Sequence, residues 1–339
     1  MASNAALADL LRLRRRLGPR PLLARLALGL LPGALAVGFG TLALDHGDEP
    51  GKPTRLAIVQ GNLDLGSRWQ PEFYGRNLDA YLDLTRAAIE RSSPAMVFWP
   101  EAAMTFFVDR EPGYRRAIGR ILAPGDAELI AGAVRAEGEG RSFRYFNTTY
   151  AFSPDGEIQS RYDKQYLVPF TEYFPFRIDL IRRQFGRARE FSPGAEAPPL
   201  ATRAGPAGTV VCNEVMLPEI VSQRVAEGAS YLVNPSNDSW LADVQYSEMQ
   251  FDIVRFRSVE QRRYLVRAST SGPSAVIDPW GRVRVRSAPE QRSVIIGEVR
   301  SRTDRTVYSR IGDGFAFACV VVVLGFAARD RREQAREPA

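Results

Sequence analysis

Short apolar runs alternate along the chain with longer stretches of helical period. Arg55-Leu-Ala-Ile-Val-Gln60 and Ala95-Met-Val-Phe-Trp99 carry no polar interruption, which predicts strands buried on both faces. Between them, Phe73 to Arg91 places Leu78, Tyr81, Leu82 and Ile89 at helical spacing. Tyr114 to Leu122 reads as a helix and Glu128 to Val134 as a strand, and Asn147 to Asp163 reads as a hairpin turning at Ser153-Pro-Asp-Gly156. The order then recurs. Gly208-Thr-Val-Val runs into Cys212 as a strand, helix-like residues follow through Val221 and Val225, and Tyr231 to Asn234 is the next strand. A helix from about Gln245 to Arg263, a strand from Tyr264 to Ser269 and a hairpin turning at Asp278-Pro-Trp-Gly281 complete it. Strand, helix, strand, helix, strand, hairpin, met twice, predicts a layered α/β domain over residues 55–303.

Two further runs are apolar without an amphipathic period. Leu26 to Leu44 has 19 residues and no charge, and it follows the basic run Arg12 to Arg20. That length suits a membrane span, with a signal peptide as the alternative. Ile311 to Ala328 is the second run and precedes the basic stretch Arg329 to Arg336; a buried core helix is its alternative. Both runs have their arginines on the side away from the middle of the chain. The positive-inside rule then predicts both termini in the cytoplasm and residues 45 to 310 across the membrane. The expected division is 1–50 with a span at about 26–44, a catalytic domain at 55–303, and 304–339 with a span at about 311–328.

Composition excludes several chemistries. Among 339 residues there is one histidine, His46, outside any periodic element, so a Cys-His or Ser-His-Asp pair inside the domain is close to excluded. One histidine and two cysteines do not furnish a zinc site, and no metal or other cofactor is expected. Lys and Arg total 45 against 39 Asp and Glu, a net charge of +6 with the basic excess toward the ends, which does not point to nucleic acid. Cys212 and Cys319 are not expected to form a disulfide, because Cys319 falls in the second apolar run.

Three strand ends carry candidate groups: Glu101, Lys164 and Cys212. Residues at neighbouring strand ends can converge on one cleft. Their order and flanks resemble the nitrilase, or carbon-nitrogen hydrolase, superfamily, and within it the apolipoprotein N-acyltransferase branch. The matching segments include Val59-Gln-Gly-Asn62, Phe98-Trp-Pro-Glu-Ala102, Val168-Pro-Phe-Thr-Glu-Tyr-Phe-Pro175 and Phe191-Ser-Pro-Gly194. Val211-Cys-Asn-Glu214, Asn234-Pro-Ser-Asn-Asp-Ser-Trp240, Arg267-Ala-Ser-Thr-Ser-Gly272 and Tyr308-Ser-Arg-Ile-Gly-Asp313 continue the match.

The resemblance implies a four-layer α-β-β-α sandwich, here flanked by two single transmembrane helices. It implies a Glu101, Lys164, Cys212 triad, with Glu101 as base, Lys164 stabilising thiolate and oxyanion, and Cys212 carrying an acyl thioester. Glu172 and Glu214 are implied as supporting acids. Asn237 and Trp240 are candidates for lining the acyl pocket, with helix capping as the alternative. The implied partners are a phospholipid acyl donor, a lipid-modified apolipoprotein acceptor and the bacterial inner membrane, with the catalytic domain on the extracytoplasmic side. A membrane-tethered amide hydrolase, with water replacing the amine, is a second reading. A third is an accessory chain dependent on a partner membrane protein, because the branch carries several helices before the domain where this chain has room for one. The sequence also departs from the branch at Asn213, where a bulky apolar residue is usual. Arg177 to Arg187 reads as an amphipathic arm able to lie on anionic lipid.

Overall fold

The computed structural model describes residues 8, 18–44, 51–63, 71–138, 143–175, 190–239 and 244–334. His46, Trp240 and the arm at 177–187 lie outside them. The chain divides into two compact units, Met1–Pro50 and Gly51–Ala339. The described part of the first includes the helix α1 (Pro19–Leu44), whose 26 residues are long and apolar enough to cross a membrane by length and composition.

The second unit is built on two sheets. The first half runs β1 (Thr54–Gln60), α2 (Pro71–Ser92), β2 (Met96–Phe98), α3 (Pro112–Leu122), β3 (Glu128–Glu137), β4 (Arg144–Phe152) and β5 (Ile158–Asp163). The second half repeats the order: β6 (Ala207–Thr209), a 3₁₀ turn at Cys212–Met216, α4 (Pro218–Ala226), β7 (Tyr231–Ser236), α5 (Val244–Gln261), β8 (Leu265–Ser269), β9 (Ala275–Ile277) and β10 (Val283–Arg286). β11 (Ser293–Val299) then returns to pair antiparallel with β1, giving sheet orders β11-β1-β2-β3-β4-β5 and β10-β9-β8-β7-β6.

Burial on both faces explains why the strands lack alternation. Leu56, Ile58, Met96 and Phe98 of the first sheet meet Tyr231, Val233, Val266 and Val276 of the second in one core. On the outer face of the first sheet, Val59, Val97 and Leu129 pack on Leu78 and Tyr81 of α2 and on Ile118 and Leu122 of α3. Outside the second sheet, Leu232, Leu265 and Ile277 pack on Ile220 and Val221 of α4 and on Phe251 and Val254 of α5. The result is helix, sheet, sheet, helix. Proline at the first position of α2, α3 and α4 supplies a preset φ where no hydrogen bond is lost.

The last segments are α6 (Val307–Ile311) and α7 (Gly314–Gln334). Gly312 between them, at φ +52, ends the first and redirects the chain. The apolar part of α7 is Gly314–Gly325, about 18 Å long at helical rise. A hydrocarbon core is about 30 Å thick, so this stretch alone is shorter than the expected second span. It is not a core helix either: Phe315, Phe317 and Val320 to Leu324 are exposed. β11 went unassigned from the sequence, although Ser293-Val-Ile-Ile-Gly-Glu-Val299 has a β-branched run.

Candidate active site

Each expected group is delivered by a turn at the end of a strand. Beyond β2, Glu101 precedes Ala102, which has φ +52, and this turn lies against Gly132 of β3. A Cβ on Gly132 would come within 2.6 Å of the Glu101 Cα and of the Pro100 carbonyl, so only glycine permits the approach. Lys164 directly follows β5, its N–H bonded to the Asn147 carbonyl and its own carbonyl accepting from Gly194 N–H, both at 2.8 Å. Cys212 opens the 3₁₀ turn at φ +50, a left-handed conformation costly for a residue with a Cβ. Its backbone is held by Asn234, whose Nδ2 donates to the carbonyls of Val210 at 2.8 Å and Cys212 at 3.2 Å.

The three side chains are buried together. Lys164 Nζ lies 2.8 Å from Glu172 Oε2 and 3.7 Å from Glu101 Oε1. Asn147 Nδ2 donates to both acids, at 2.6 Å to Glu101 Oε1 and 2.9 Å to Glu172 Oε1. The second oxygen of Glu101 accepts from the Asn237 N–H at 2.8 Å. Cys212, Glu101 and Lys164 are close enough for each to act on the others' charge. Burial pushes the Cys212 thiol up to about 12; Glu101 adds to the rise and Lys164 opposes it. Burial raises the Glu101 carboxyl above its ordinary range against the pull of Lys164. Burial acts to discharge Lys164, but Glu101, Cys212 and Glu172 outweigh it and hold its pKa above the usual lysine value. The resting site therefore holds a charged lysine, a base of raised affinity for protons, and a protonated thiol.

Glu172 and Glu214 are both buried, at 8% and 0% exposure. Glu214 does not touch the lysine amine. Its Oε1 accepts from the N–H of Gln165 at 2.8 Å and of Tyr166 at 3.0 Å, and its Oε2 accepts from the Val211 N–H at 2.7 Å. One carboxylate thus ties the turn beneath Cys212 to the loop that follows Lys164. The Asn237 side chain does not cap α5; its Oδ1 accepts from the Ser239 N–H at 3.1 Å in a local turn, while its backbone orients Glu101. Asn213 finds a polar partner, its Oδ1 accepting from Gln250 Nε2 at 2.7 Å. Asn147, Ser236 and Arg267 are buried beside these groups and were not singled out from the sequence. Polar residues inside apolar strands were the available signal. A cavity of about 300 Å³ opens beside the lysine loop, lined by Gln165, Tyr166, Leu167, Tyr173, Phe191 and Pro193. No cluster able to hold a metal ion occurs among the described residues.

Comparison with known proteins agrees with this geometry. The chain is 34% identical over 297 residues to the apolipoprotein N-acyltransferase of Geobacter metallireducens, covering 87% of this chain and 56% of that protein. It is 31% identical over 347 residues to the apolipoprotein N-acyltransferase of Azotobacter vinelandii, covering 99% and 64%. The chain therefore spans between 56% and 64% of the length of these curated relatives. An amidase of the nitrilase superfamily from Nesterenkonia AN1 shares the fold at a TM-score of 0.59 and 19% identity, over 80% of this chain and 98% of that one. With two facing sheets, a buried acid, lysine and cysteine following β2, β5 and β6, and residues 55–308 matching the family description, the chain belongs to the carbon-nitrogen hydrolase family.

Proposed function

We propose that this chain is a membrane-anchored N-acyltransferase that moves a fatty acyl group from phospholipid to the N-terminal amine of a lipid-modified apolipoprotein. The observation that carries it is the buried meeting of Glu101, Lys164 and Cys212 in a chain similar, over most of its length, to apolipoprotein N-acyltransferases.

Glu101 is positioned to take the Cys212 proton as Sγ attacks the donor ester carbonyl. The thiolate does not accumulate, because the resting thiol pKa is high. Lys164 and a backbone N–H at the start of the 3₁₀ turn stabilise the tetrahedral oxyanion. The C–O bond of the donor ester breaks, Glu101 returns its proton to the departing alcohol, and an acyl thioester remains on Cys212. The acceptor amine then attacks that thioester, losing a proton to Glu101, and Sγ leaves to regain one. The same acid-base group serves both halves, as a ping-pong scheme requires. Glu172 fixes Lys164 and Glu214 fixes the loop beyond it. The cavity lined by Tyr166, Leu167, Tyr173 and Phe191 has the apolar, aromatic wall an acyl chain would use, and Asn237, beside Glu101, is a further candidate for the substrate side.

The division into 1–50, 55–303 and 304–339 belongs to the same proposal. So does a bacterial inner-membrane location with both termini cytoplasmic. α1 is the first anchor. α7 is the second, its exposed apolar part followed in sequence by the basic stretch Arg329 to Arg336. The test is product mass after incubating the full chain in phospholipid vesicles with a synthetic diacylated lipopeptide. A product heavier by one acyl group, absent with Cys212→Ala, is expected; release of free fatty acid or hydrolysis of an amide, with no acylated peptide, would replace this reading by the hydrolase.

A further inference from the structure

Ser236 is the last residue of β7 and is fully buried. Its carbonyl accepts from the Thr270 N–H at 3.1 Å and from Thr270 Oγ1 at 3.4 Å, which clamps its backbone to β8. Its Oγ accepts from Arg267 Nη2 at 3.3 Å, so the direction of the hydroxyl proton alone remains adjustable. It lies between two acceptors, Asp238 Oδ1 at 2.7 Å and Cys212 Sγ at 3.7 Å. One hydroxyl has one proton to donate, so it serves one of them at a time. While the thiol is neutral, the nearer, charged carboxylate is the better acceptor.

Asp238 does not depend on that bond. Arg267 Nη2 lies 3.2 Å from Oδ1 and 3.0 Å from Oδ2, and Ser269 Oγ donates to Oδ2 at 2.9 Å. The same Nη2 is 2.8 Å from Gln250 Oε1, and Nη1 donates to Asn234 Oδ1, so the arginine is fixed from two sides. Gln250 in turn holds Asn213, the residue next to the nucleophile. Asp238 can therefore release the Ser236 proton and stay satisfied.

We propose that Ser236 is a hydroxyl switch on the nucleophile: its O–H donates to Asp238 while Cys212 is protonated and turns to Sγ when that proton leaves for Glu101. The one proton transferred is that of the thiol. The Ser236 O–H bond stays intact and changes direction only. The sulfur then has Lys164 and the Ser236 hydroxyl as donors, while Asp238 and Arg267 act through Ser236 as positioning residues. The charged groups that act on the sulfur are Glu101 beyond β2, Lys164 beyond β5 and Asp238 beyond β7; Glu172 reaches it only through Lys164, Glu214 holds the nucleophile's own turn, and Arg267 on β8 pairs with Asp238. Of these Glu101 and then Asp238 disfavour the thiolate, whereas Lys164 and the Ser236 bond favour it.

The inference rests on Cys212 being the nucleophile, and its test does not require acyl transfer. Full-length protein in detergent is treated with iodoacetamide between about pH 7 and 9, where alkylation follows thiolate fraction, and peptide masses report Cys212 and Cys319 separately. Ser236→Ala is expected to slow Cys212 alkylation about tenfold, with Cys319 unchanged, and Ser236→Thr to restore most of the rate. Asp238→Asn keeps an acceptor oxygen and removes the competing charge, so Cys212 should alkylate several-fold faster. A folded Ser236→Ala protein alkylating at the wild-type rate, or a folded Asp238→Asn protein alkylating more slowly than wild type, would overturn the switch. Should Ser236→Ala not fold, Asp238→Asn decides alone. Failure of the nucleophile itself is read elsewhere, as absence of an acyl adduct on wild-type Cys212.

Discussion

Lys164 Nζ is 2.8 Å from Glu172 and 3.7 Å from Glu101, so the cation lies closer to Glu172 than to the proposed base. That asymmetry leaves Glu101 free to accept a proton. In Glu172→Gln the acid that helps raise the Glu101 carboxyl is gone and the full lysine charge falls on Glu101, lowering its basicity and slowing acylation about tenfold. Single-turnover acylation of the folded variant checks this; an unchanged rate would deny Glu172 its part in the site.

Gly132 sets how closely β3 approaches the Glu101 turn. Gly132→Ala forces that turn away from a fixed backbone, with an expected stability loss of about 2 kcal/mol. Activity should fall further than stability explains, and restored structure at lower temperature should not recover it. Thermal unfolding measured beside acylation separates the two losses.

Cys212 holds a left-handed φ that glycine adopts freely. Both Cys212→Ala and Cys212→Gly abolish turnover, but the glycine variant should be the more stable of the two by about 1 kcal/mol. Chemical denaturation of the pair measures it. The ordering shows strain retained for the sake of the nucleophile's direction.

Burial raises the Glu101 carboxyl, so its proton leaves at higher pH than from an ordinary glutamate. Acylation needs the unprotonated form. The rate should therefore fall as pH drops through a midpoint above the ordinary glutamate value of 4.5, while Lys164, held charged above the usual lysine range, causes no loss on the alkaline side up to about pH 10. A single-turnover pH profile with its acid limb below that value would contradict the assignment of Glu101 as base.

Most of the layered fold was legible because strands buried on both faces read as unbroken apolar runs and their helices read at period 3.6. β11 was missed because its pairing partner, β1, lies more than two hundred residues away and no local turn announces it. The positions of Glu101, Lys164 and Cys212 were legible from their motifs. What could not be read was which oxygen faces which donor. Asn147 looked like one more polar residue in a hairpin, yet it bridges Glu101 and Glu172. Glu214 was implied only as a supporting acid, yet it bonds backbone N–H groups on two loops. Such roles come from contacts across the sheets, which spacing along the chain does not encode.

The central claim is that Cys212 carries the acyl group. Intact mass of the protein after incubation with phospholipid, wild type beside Cys212→Ala, tests it most directly. An acyl-sized increase on the wild type alone, removed by hydroxylamine, is the expected result. A folded wild type with no adduct, or an adduct that survives in Cys212→Ala, would contradict the account.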